Sequence, residues 1–387
     1  MYRITIDNLR PKMMSTRPIY DTAGRKIIPA GLKLEEAELR RLRSMGIGSL
    51  YVWSPFLAQE TEKGLISETT RLQAARTVWL TYLSVSLDKA GEGFGLEEVA
   101  KEIVREVKES GNLLIQSCDV RAYGDYLYYH VVNVAALAAK IGISMGYNEG
   151  QLLELVQGAL LHDVGEMMLS QELMEKTGKL TAEEHLEIRK HPERGFAYLR
   201  KAMPQLTAPT AFAVLQHHER IDGRGYPWQL KETEIVEYAR ILAVADIFDA
   251  LTADRPFRAH VPFHEACRLL RALRGKLFDG DLVDLLLPVI APYPLGTLVR
   301  IANGKVGVVT QLREGENERP RVRLFMNRQG GLLAKEQEII LGEEPELEMY
   351  RVLPENAAIP IANLYTKKRH SASVLAKKTV ALERVEE

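Results

Sequence analysis

Apolar residues recur at spacings of three and four along most of the chain between residues 61 and 290, which is the period of helices that bury one face. Residues 1 to 53 and 293 to 355 instead show short apolar runs and alternation, interrupted by turn residues, as in strands. The pattern predicts a mainly α protein with a small α/β module at its start and a small β unit at its end. We place the boundaries at an N-terminal α/β module (1–55), a helical linker (56–117), an all-helical domain (118–290) and a C-terminal β appendage with a tail (291–387).

The two terminal segments contain recognisable structural patterns. In the first, the runs RITI and SLYVW predict strands on either side of an amphipathic helix, EEAELRRLRSM, which ends before Gly46. In the last, LVRIANGKVGVVTQL predicts a hairpin around Asn303-Gly304, RVRLFMN predicts a further strand, and the tail after Thr366 is expected to be exposed. We expect the first segment to be structural or regulatory, because it contains no cluster of chemically active side chains.

One helix of the linker has a strongly apolar face. In the run LEEVAKEIVREVKES, residues Leu96, Val99, Ile103 and Val107 recur at three and four and share one side of the helix. Such a face is suited to packing within the chain or against a second copy. The linker is therefore a candidate surface for a homodimer.

Composition and charge narrow the class of protein. The 387 residues carry a formal net charge of −1, so no global basic field indicates nucleic acid or an anionic membrane as a partner. The two cysteines, Cys118 and Cys267, show no zinc-binding spacing and suit a reducing compartment. The N-terminus lacks an apolar leader, and the apolar run LVDLLLPVIAPYPL is short and broken by prolines. We expect a cytoplasmic protein without a membrane segment.

Histidines and carboxylates recur at the ends of predicted helices. His162 and Asp163 end the helix GQLLELVQGALLHDVGE, and an ionised aspartate at the end of an apolar helix needs a partner or a cation. Asp246 lies in the apolar run AVADIFDAL, where a buried hydrogen-bond network is the alternative to a metal. Asp249 follows three residues later on the same face. This recurrence predicts a metal site.

Four further histidines join this pattern with different strengths. His130 lies on an apolar helical face, where a lone histidine is more often a core residue than a ligand. His191 precedes Pro192, which is expected to end a helix and leave His191 at its tip. His217 and His218 project about 100° apart, so both reach one ion only if the end of their helix points at it.

Two features beside the histidines suggest contacts with an anionic ligand. The turn DGRGYP has glycines at 223 and 225, where the backbone can approach a ligand closely. Arg255 and Arg258 follow the Asp246 helix, and guanidinium groups suit bidentate contacts with phosphate or guanine.

The motifs HDVGE, HHERIDGRGYP and DIFDALTADRPFR, in this order, strongly resemble the HD-GYP family of the HD phosphohydrolase superfamily. Members of that family are bacterial phosphodiesterases that hydrolyse cyclic di-GMP. The resemblance covers roughly residues 118 to 290 and implies an all-helical HD-GYP domain there. The flanking segments also look like the accessory regions around such domains.

The resemblance also implies roles for individual residues. His130, His162, Asp163 and Asp246 match the ligands of a first metal, and Asp163 is expected to bridge to a second metal held by His191, His217 and His218. Tyr226, Arg255 and Arg258 match positions that contact the guanine and phosphates of the substrate. Mixed imidazole and carboxylate ligation suits iron, manganese or zinc better than calcium, and we expect two ions of iron or manganese. By the same resemblance, a metal-bridged hydroxide opens cyclic di-GMP to linear pGpG, and a second cut gives GMP.

Two positions depart from the family pattern. Glu166 stands where the family usually has a lysine, and it is either an extra ligand or catalytic base, or a surface residue of a domain that only binds. Tyr126 stands where members with a third metal have a glutamate, which favours two metals. The leading hypothesis is a cyclic di-GMP phosphodiesterase. The alternatives are a cyclic di-GMP receptor with impaired catalysis and a hydrolase for another nucleotide.

Overall fold

The computed structural model describes residues 2–21, 25–57, 64–86, 95–111, 115, 125–174, 176, 178–253, 260–313 and 315–367. Arg255, Arg258, Cys118 and most of the predicted tail lie outside these residues. Helices occupy most of the chain between residues 68 and 286, and strands lie before and after them. This distribution confirms the predicted mainly α class.

The N-terminal module contains two small antiparallel sheets and one helix. Strand β1 (Tyr2–Thr5) pairs with β4 (Ser49–Val52), and β2 (Ile19–Tyr20) pairs with β3 (Lys26–Ile28). Helix α1 (Glu36–Ser44) begins at a capping box, in which the side chains of Glu35 and Glu38 accept each other's backbone N–H. Leu39 and Leu42 of α1 pack into a core with the strands. The predicted order of strand, helix and strand is confirmed.

One hydrophobic core holds the helical region together from Leu65 to Ile290. Helix α4 lies at its centre and contacts α2, α3, α5, α10 and α12. A short 3-10 helix (Val164–Met168) follows α5. The helices are α2 (Glu68–Ser86), α3 (Leu96–Glu109), α4 (Tyr126–Ser144), α5 (Glu149–Leu161), α6 (Gln171–Met174), α7 (Ala182–Ile188), α8 (His191–Ala202), α9 (Ala208–Gln216), α10 (Glu237–Thr252), α11 (Phe263–Leu273) and α12 (Gly280–Leu286).

The two helices of the predicted linker belong to this same core. Val78 and Tyr82 of α2 and Ile103 and Val107 of α3 are all buried in it. The apolar face of α3 packs against α4 and α5 of its own chain. Packing within the chain therefore covers the face that also suited a second copy, and the homodimer stays a prediction.

The structure differs from the sequence expectation around Pro192. We expected this proline to end a helix and leave His191 at its C-terminal tip. Instead α7 ends at Ile188, and a new helix, α8, begins at His191. Proline is well tolerated in the first turn of a helix, because the N–H that it lacks would have no partner there. His191 is thus the first residue of a helix.

The C-terminal unit is a five-stranded antiparallel sheet in the order β8-β7-β6-β5-β9. The predicted hairpin and third strand are confirmed, and Gly304 in the turn has a φ of +87°. A helix over residues 355–367, α13, packs Ala358, Ala362 and Tyr365 against Phe56 and the sheet. The strands are β5 (Leu298–Ile301), β6 (Val306–Gln311), β7 (Arg321–Met326), β8 (Leu332–Ile340) and β9 (Met349–Val352).

Helix α4 is long and apolar enough to cross a membrane by length and composition alone. However, 72% of its apolar window is buried inside the protein. Its apolar side chains therefore face other helices, as in a core helix. It also carries His130, the first of the predicted ligands.

Candidate metal centre

Five helices bring the seven predicted ligands together, four of them near one of their ends and α10 from its interior. His130 lies in the second turn of α4, His162 and Asp163 directly follow α5, and Asp246 lies in α10. The structure places these side chains in two adjoining groups. Within each group, the possible ligand atoms all lie within 4.8 Å of one another. One group is His130, His162 and Asp246, and the other is Asp163, His191, His217 and His218. We call them the first and the second group.

The carboxylate of Asp163 faces both groups. Its Oδ2 lies 3.2 Å from Nε2 of His162 and 3.8 Å from Nε2 of His130 in the first group. Its Oδ1 lies 3.3 Å from Nε2 of His191 and 3.5 Å from Nε2 of His217 in the second group. The two oxygens therefore point to different sets of imidazoles, as a bridging ligand requires.

The imidazoles of the second group are oriented with their lone pairs converging. Nδ1 of His191 lies 2.9 Å from the carbonyl of Ile188, and Nδ1 of His217 lies 2.7 Å from that of Val214. Since each Nδ1–H donates to a carbonyl, the two Nε2 atoms face each other as acceptors, 3.2 Å apart. Two ligand atoms that each lie about 2.1 Å from one metal ion are roughly 3.0–3.4 Å apart. A cation bound by both Nε2 atoms would account for their separation.

The first group also contains a buried nitrogen without a hydrogen-bond partner. Nδ1 of His162 donates to the carbonyl of Ala159 at 2.7 Å, so its Nε2 carries a lone pair and, although Oδ2 of Asp163 lies 3.2 Å away, has no hydrogen-bond partner among the described residues. Nε2 of His130 lies 3.1 Å from Oδ1 of Asp246. A buried imidazole nitrogen without a partner is costly unless a ligand satisfies it. Imidazole and carboxylate donors at these separations fit a divalent metal ion.

Charge and burial keep the two carboxylates ionised and two of the imidazoles neutral, as metal binding requires. Burial raises the pKa of Asp163, but the neighbouring imidazoles, first that of His162, lower it further, so the net pKa is well below the ordinary value. The pKa of Asp246 is also lowered, because His130 outweighs the effect of burial. Burial lowers the pKa of His217 and His218, which favours neutral imidazoles. The centre thus presents two ionised carboxylates and, in its second group, neutral nitrogen donors at His217 and His218, whereas the carboxylate of Asp163 outweighs burial and raises the pKa of His191.

Asp249 orients His130 from outside the ligand set. Its Oδ2 accepts a hydrogen bond from Nδ1 of His130 at 2.7 Å, which leaves Nε2 directed at the centre. Its Oδ1 accepts from the amide of Asn133 at 3.0 Å. The sequence placed Asp249 on the face of Asp246 but gave no sign of this role, because the contact joins α10 to α4.

Glu166 lies beside the centre but belongs to neither group of the described side chains. It is partly buried in the 3-10 helix that follows Asp163. Burial and the charge of Asp163 raise its pKa to about 7. The neighbouring Gly165 packs so closely on α8 that a Cβ there would lie 1.9 Å from the carbonyl oxygen of His191.

Tyr226 lies between a predicted ligand and an exposed cation. Its ring centroid is 4.6 Å from that of His218, and its N–H donates to the carbonyl of His218 at 3.2 Å. The guanidinium carbon of Arg189 lies 4.9 Å from the centroid of the same ring. Arg189 was not predicted as a site residue, and its exposed position after α7 carries no pattern that would identify it.

Glu219 holds the turn that carries Tyr226. Its buried carboxylate accepts hydrogen bonds from the N–H of Trp228 at 2.6 Å and of Leu230 at 3.0 Å. A Cβ on Gly225 would lie 2.4 Å from the nitrogen of Arg220. The close approach expected at Gly225 is therefore made to the chain's own backbone. Arg255 and Arg258 lie outside the described residues, so their contacts stay predictions.

Comparisons with known proteins identify the helical region. Residues 101–282 match the family model of the HD domain. The chain is 32% identical over 245 residues to the cyclic di-GMP phosphodiesterase PA4108 of Pseudomonas aeruginosa, covering 63% of this chain and 59% of that protein. It is 35% identical over 201 residues to a cyclic di-GMP phosphodiesterase of Thermotoga maritima, covering 52% and 53%.

A third relative is named for a different substrate. The 3'3'-cGAMP-specific phosphodiesterase 2 of Vibrio cholerae is 31% identical over 192 residues, covering 50% of this chain and 35% of that protein. The chain therefore spans between about a third and three fifths of the length of these three relatives.

Proposed function

We propose that this protein, whose residues 101–282 match the family model of the HD domain, belongs to the HD-GYP family and is a metal-dependent phosphodiesterase that hydrolyses cyclic di-GMP. The observation that carries the proposal is the convergence of six donor side chains around a seventh, Asp163, with one carboxylate oxygen directed at each group. Hydrolysis adds water across a 3′ ester and opens the ring to linear pGpG. A second, slower hydrolysis gives GMP.

We propose that the centre binds two divalent ions, iron or manganese. One ion would be held by His130, His162 and Asp246, and the other by His191, His217 and His218. Asp163 would bind both ions. When bound, such ions polarise phosphoryl oxygens and activate water as a nucleophile. Iron and manganese both accept mixed nitrogen and oxygen ligands.

Residues at the rim of the centre are proposed to hold the substrate. The ring of Tyr226 is placed to contact a guanine, and the guanidinium of Arg189 over that ring is placed to contact a guanine or a phosphate. Arg255 and Arg258 are proposed to bind the phosphates, as the family resemblance implies. These cations would offset the charge of a substrate with two phosphates.

Glu166 is proposed to exchange protons during hydrolysis. The attacking water loses a proton and the leaving 3′ oxygen gains one. A carboxyl whose pKa is about 7 suits both transfers at neutral pH. Glu166 also supports a second candidate function, because an ionised carboxylate near the scissile phosphate would repel it. In that case the domain binds cyclic di-GMP without cutting it and acts as a receptor.

Product analysis separates these two functions. Protein purified without oxygen and loaded with iron or manganese is incubated with cyclic di-GMP beside the variant Glu166→Lys, and pGpG and GMP are resolved chromatographically. We expect product from the wild type. Product from the lysine variant alone would overturn the proposed hydrolysis and identify a receptor.

The choice of nucleotide needs its own comparison. Cyclic di-GMP, cyclic GMP-AMP and linear dinucleotides are supplied at equal concentrations, and initial rates are compared. We expect the highest rate on cyclic di-GMP. Equal or higher rates on cyclic GMP-AMP would contradict the proposed substrate, and the relative from Vibrio cholerae makes that the competitor to test.

A further inference from the structure

A chain of hydrogen bonds joins helix α2, which precedes the matched HD segment, to the first metal group. Nη1 of Arg71 in α2 donates to Oδ1 of Asn133 at 2.6 Å. Nδ2 of Asn133 donates to Oδ1 of Asp249 at 3.0 Å, and Oδ2 of Asp249 accepts from Nδ1 of His130 at 2.7 Å. We call these four residues the relay. It runs from the linker helix through α4 and α10 to a metal ligand.

His130 needs this support more than the other oriented histidines do. His162 and His217 each follow a helix, where the last carbonyls have no N–H partner and can accept from Nδ1. His130 lies inside α4, and the helix continues for fourteen residues beyond it. The nearby carbonyls of α4 are therefore used by its own N–H groups. A side chain from another helix must accept from Nδ1 instead, and Asp249 does so.

Arg71 fixes the direction in which Asn133 points. A guanidinium group has only N–H donors, so it can pair with the oxygen of the amide but not with the nitrogen. Once the oxygen of Asn133 faces Arg71, its NH₂ group faces Asp249. Without Arg71 the oxygen of the amide loses this partner, and Asp249 alone holds Asn133. One residue of α2 therefore supports the hydrogen bond from Asn133 to the carboxylate that orients His130.

Helix α2 contacts the other side of the centre as well. The hydroxyl of Tyr82 donates to the carbonyl of Leu160 at 3.1 Å, two residues before His162. Helix α2 also packs on the 3-10 helix that carries Glu166. The start of α2 is held by Glu106 of α3, whose carboxylate accepts from the side chains of Ser67 and Thr70. The linker helix thus contacts the segments on both sides of the first metal group.

We propose that Arg71 is a positioning residue for metal binding: through Asn133 and Asp249 it holds His130 in its ligating tautomer and orientation, so that the position of α2 sets the metal affinity of the first group. This inference rests on the metal centre of the proposed function and not on hydrolysis. Loss of an outer partner of a metal-binding histidine typically weakens metal affinity about 10- to 100-fold. We expect Arg71→Met to lower the affinity for one of the two metal ions about 10-fold and to leave the affinity for the other unchanged.

Metal-buffered titration of the full-length apoprotein tests the relay. Manganese affinities are measured for the wild type, Arg71→Met, Arg71→Lys and His130→Ala, and His130→Ala identifies the equivalent that depends on His130. We expect Arg71→Met to weaken that same equivalent. Lysine also donates to an amide oxygen, so Arg71→Lys is expected to restore most of the affinity. Arg76→Met is the matched control, because Arg76 is an exposed arginine of the same helix.

The outcomes separate the relay from a loss of folding and from the proposed hydrolysis. Thermal unfolding of each apoprotein shows whether Arg71→Met is folded, and the lysine variant tests the relay even if the methionine variant is not. Three outcomes would overturn the relay. In the first, Arg71→Met weakens the affinity of both metal sites equally, and in the second it changes neither affinity. In the third, His130→Ala leaves the metal content unchanged. Absence of product from a wild type that binds metal as expected would overturn the hydrolysis alone.

Discussion

Asp163 links the two metal groups, because one of its carboxylate oxygens faces each of them. We expect Asp163→Ala to release metal from both groups and to reduce hydrolysis of cyclic di-GMP by at least about 100-fold, the upper end of the effect of an outer partner. Metal content by elemental analysis and product by chromatography measure the two effects on one sample. Glu193→Ala, an exposed carboxylate on α8, is the control. Stoichiometric metal with full turnover in the Asp163 variant would contradict its assignment.

Arg189 belongs to the substrate rim in our proposal, and its replacement should change substrate binding alone. We expect Arg189→Met to raise KM for cyclic di-GMP about 10-fold, because a hydrogen bond to a charged group contributes about 1.5–3 kcal/mol. Metal content should stay unchanged. Lys190→Met is the matched control, since Lys190 is the neighbouring cation and pairs with Glu187 at 2.7 Å. A KM equal to that of the control would remove Arg189 from the rim.

Residue types and spacing predicted a metal site, and the family resemblance implied its ligands, but neither predicted their supporting partners. His162 and Asp246 stood out because each places a polar group in an apolar helical run, where burial must be offset, whereas His130 alone was expected to be a core residue. The roles of Asp249 and Glu219 depend on contacts between segments far apart in sequence. A helical period specifies which face a residue lies on, but not which helix meets that face.

At the scale of elements, the contact between the 3-10 helix and α8 is among the closest in the centre. A Cβ on Gly165 would lie 1.9 Å from the carbonyl oxygen of His191 and 2.7 Å from the nitrogen of Gly195. We expect Gly165→Ala to push α8 away, to reduce the free energy of unfolding by about 1–3 kcal/mol and to weaken the second metal group. Urea unfolding and metal titration measure these effects.

Gly178→Ala is the control for this substitution. The nearest atom to a Cβ on Gly178 is the flexible Cε of Lys176, at 4.0 Å. We therefore expect its free energy of unfolding to stay close to that of the wild type. Equal values for the two alanine variants would show that α8 does not depend on the close approach at Gly165.

Long helices with regular apolar spacing were predictable, and two helices that contain proline were not. Helices α4, α5 and α10 each follow a period of three and four, and the structure confirms them. Helix α8 begins at a His-Pro pair that we expected to mark only an end. Helix α13 continues through Pro360, although an internal proline removes one hydrogen bond and usually breaks a helix. Packing of Ala358, Ala362 and Tyr365 on the sheet offsets that loss.

At the scale of the whole molecule, the N-terminal module is tied to both of its neighbours. Oε2 of Glu355 in α13 accepts from the N–H and the hydroxyl of Thr5, each at 2.8 Å. Nη1 of Arg3 donates at 3.0 Å to the carbonyl of Thr252, the last residue of α10. Strand β1 therefore contacts the helix that carries Asp246 as well as the C-terminal unit.

Removing the carboxylate of Glu355 should loosen this junction without unfolding the helical core. We expect Glu355→Ala to increase amide hydrogen exchange in β1 and β4 several-fold, because Thr5 loses its partner, and to leave exchange in α4 and α5 unchanged. Exchange followed by mass spectrometry measures each segment. Glu346→Ala, an exposed carboxylate of the C-terminal unit, is the control. Unchanged exchange in β1 would show that other contacts hold the module.

The shared burial of α2 determines which segment of the chain can fold when the HD domain is moved into another protein. The matched segment begins at residue 101, yet Ala74, Val78 and Tyr82 of α2 are fully buried against it. A fragment excised at that border would expose the apolar surface that these side chains cover, and exposed patches of this kind promote aggregation. The smallest portable unit must therefore include the helix in front of the recognised domain. Any recombination that exchanges the segment in front of the HD domain has to carry α2 along with the domain.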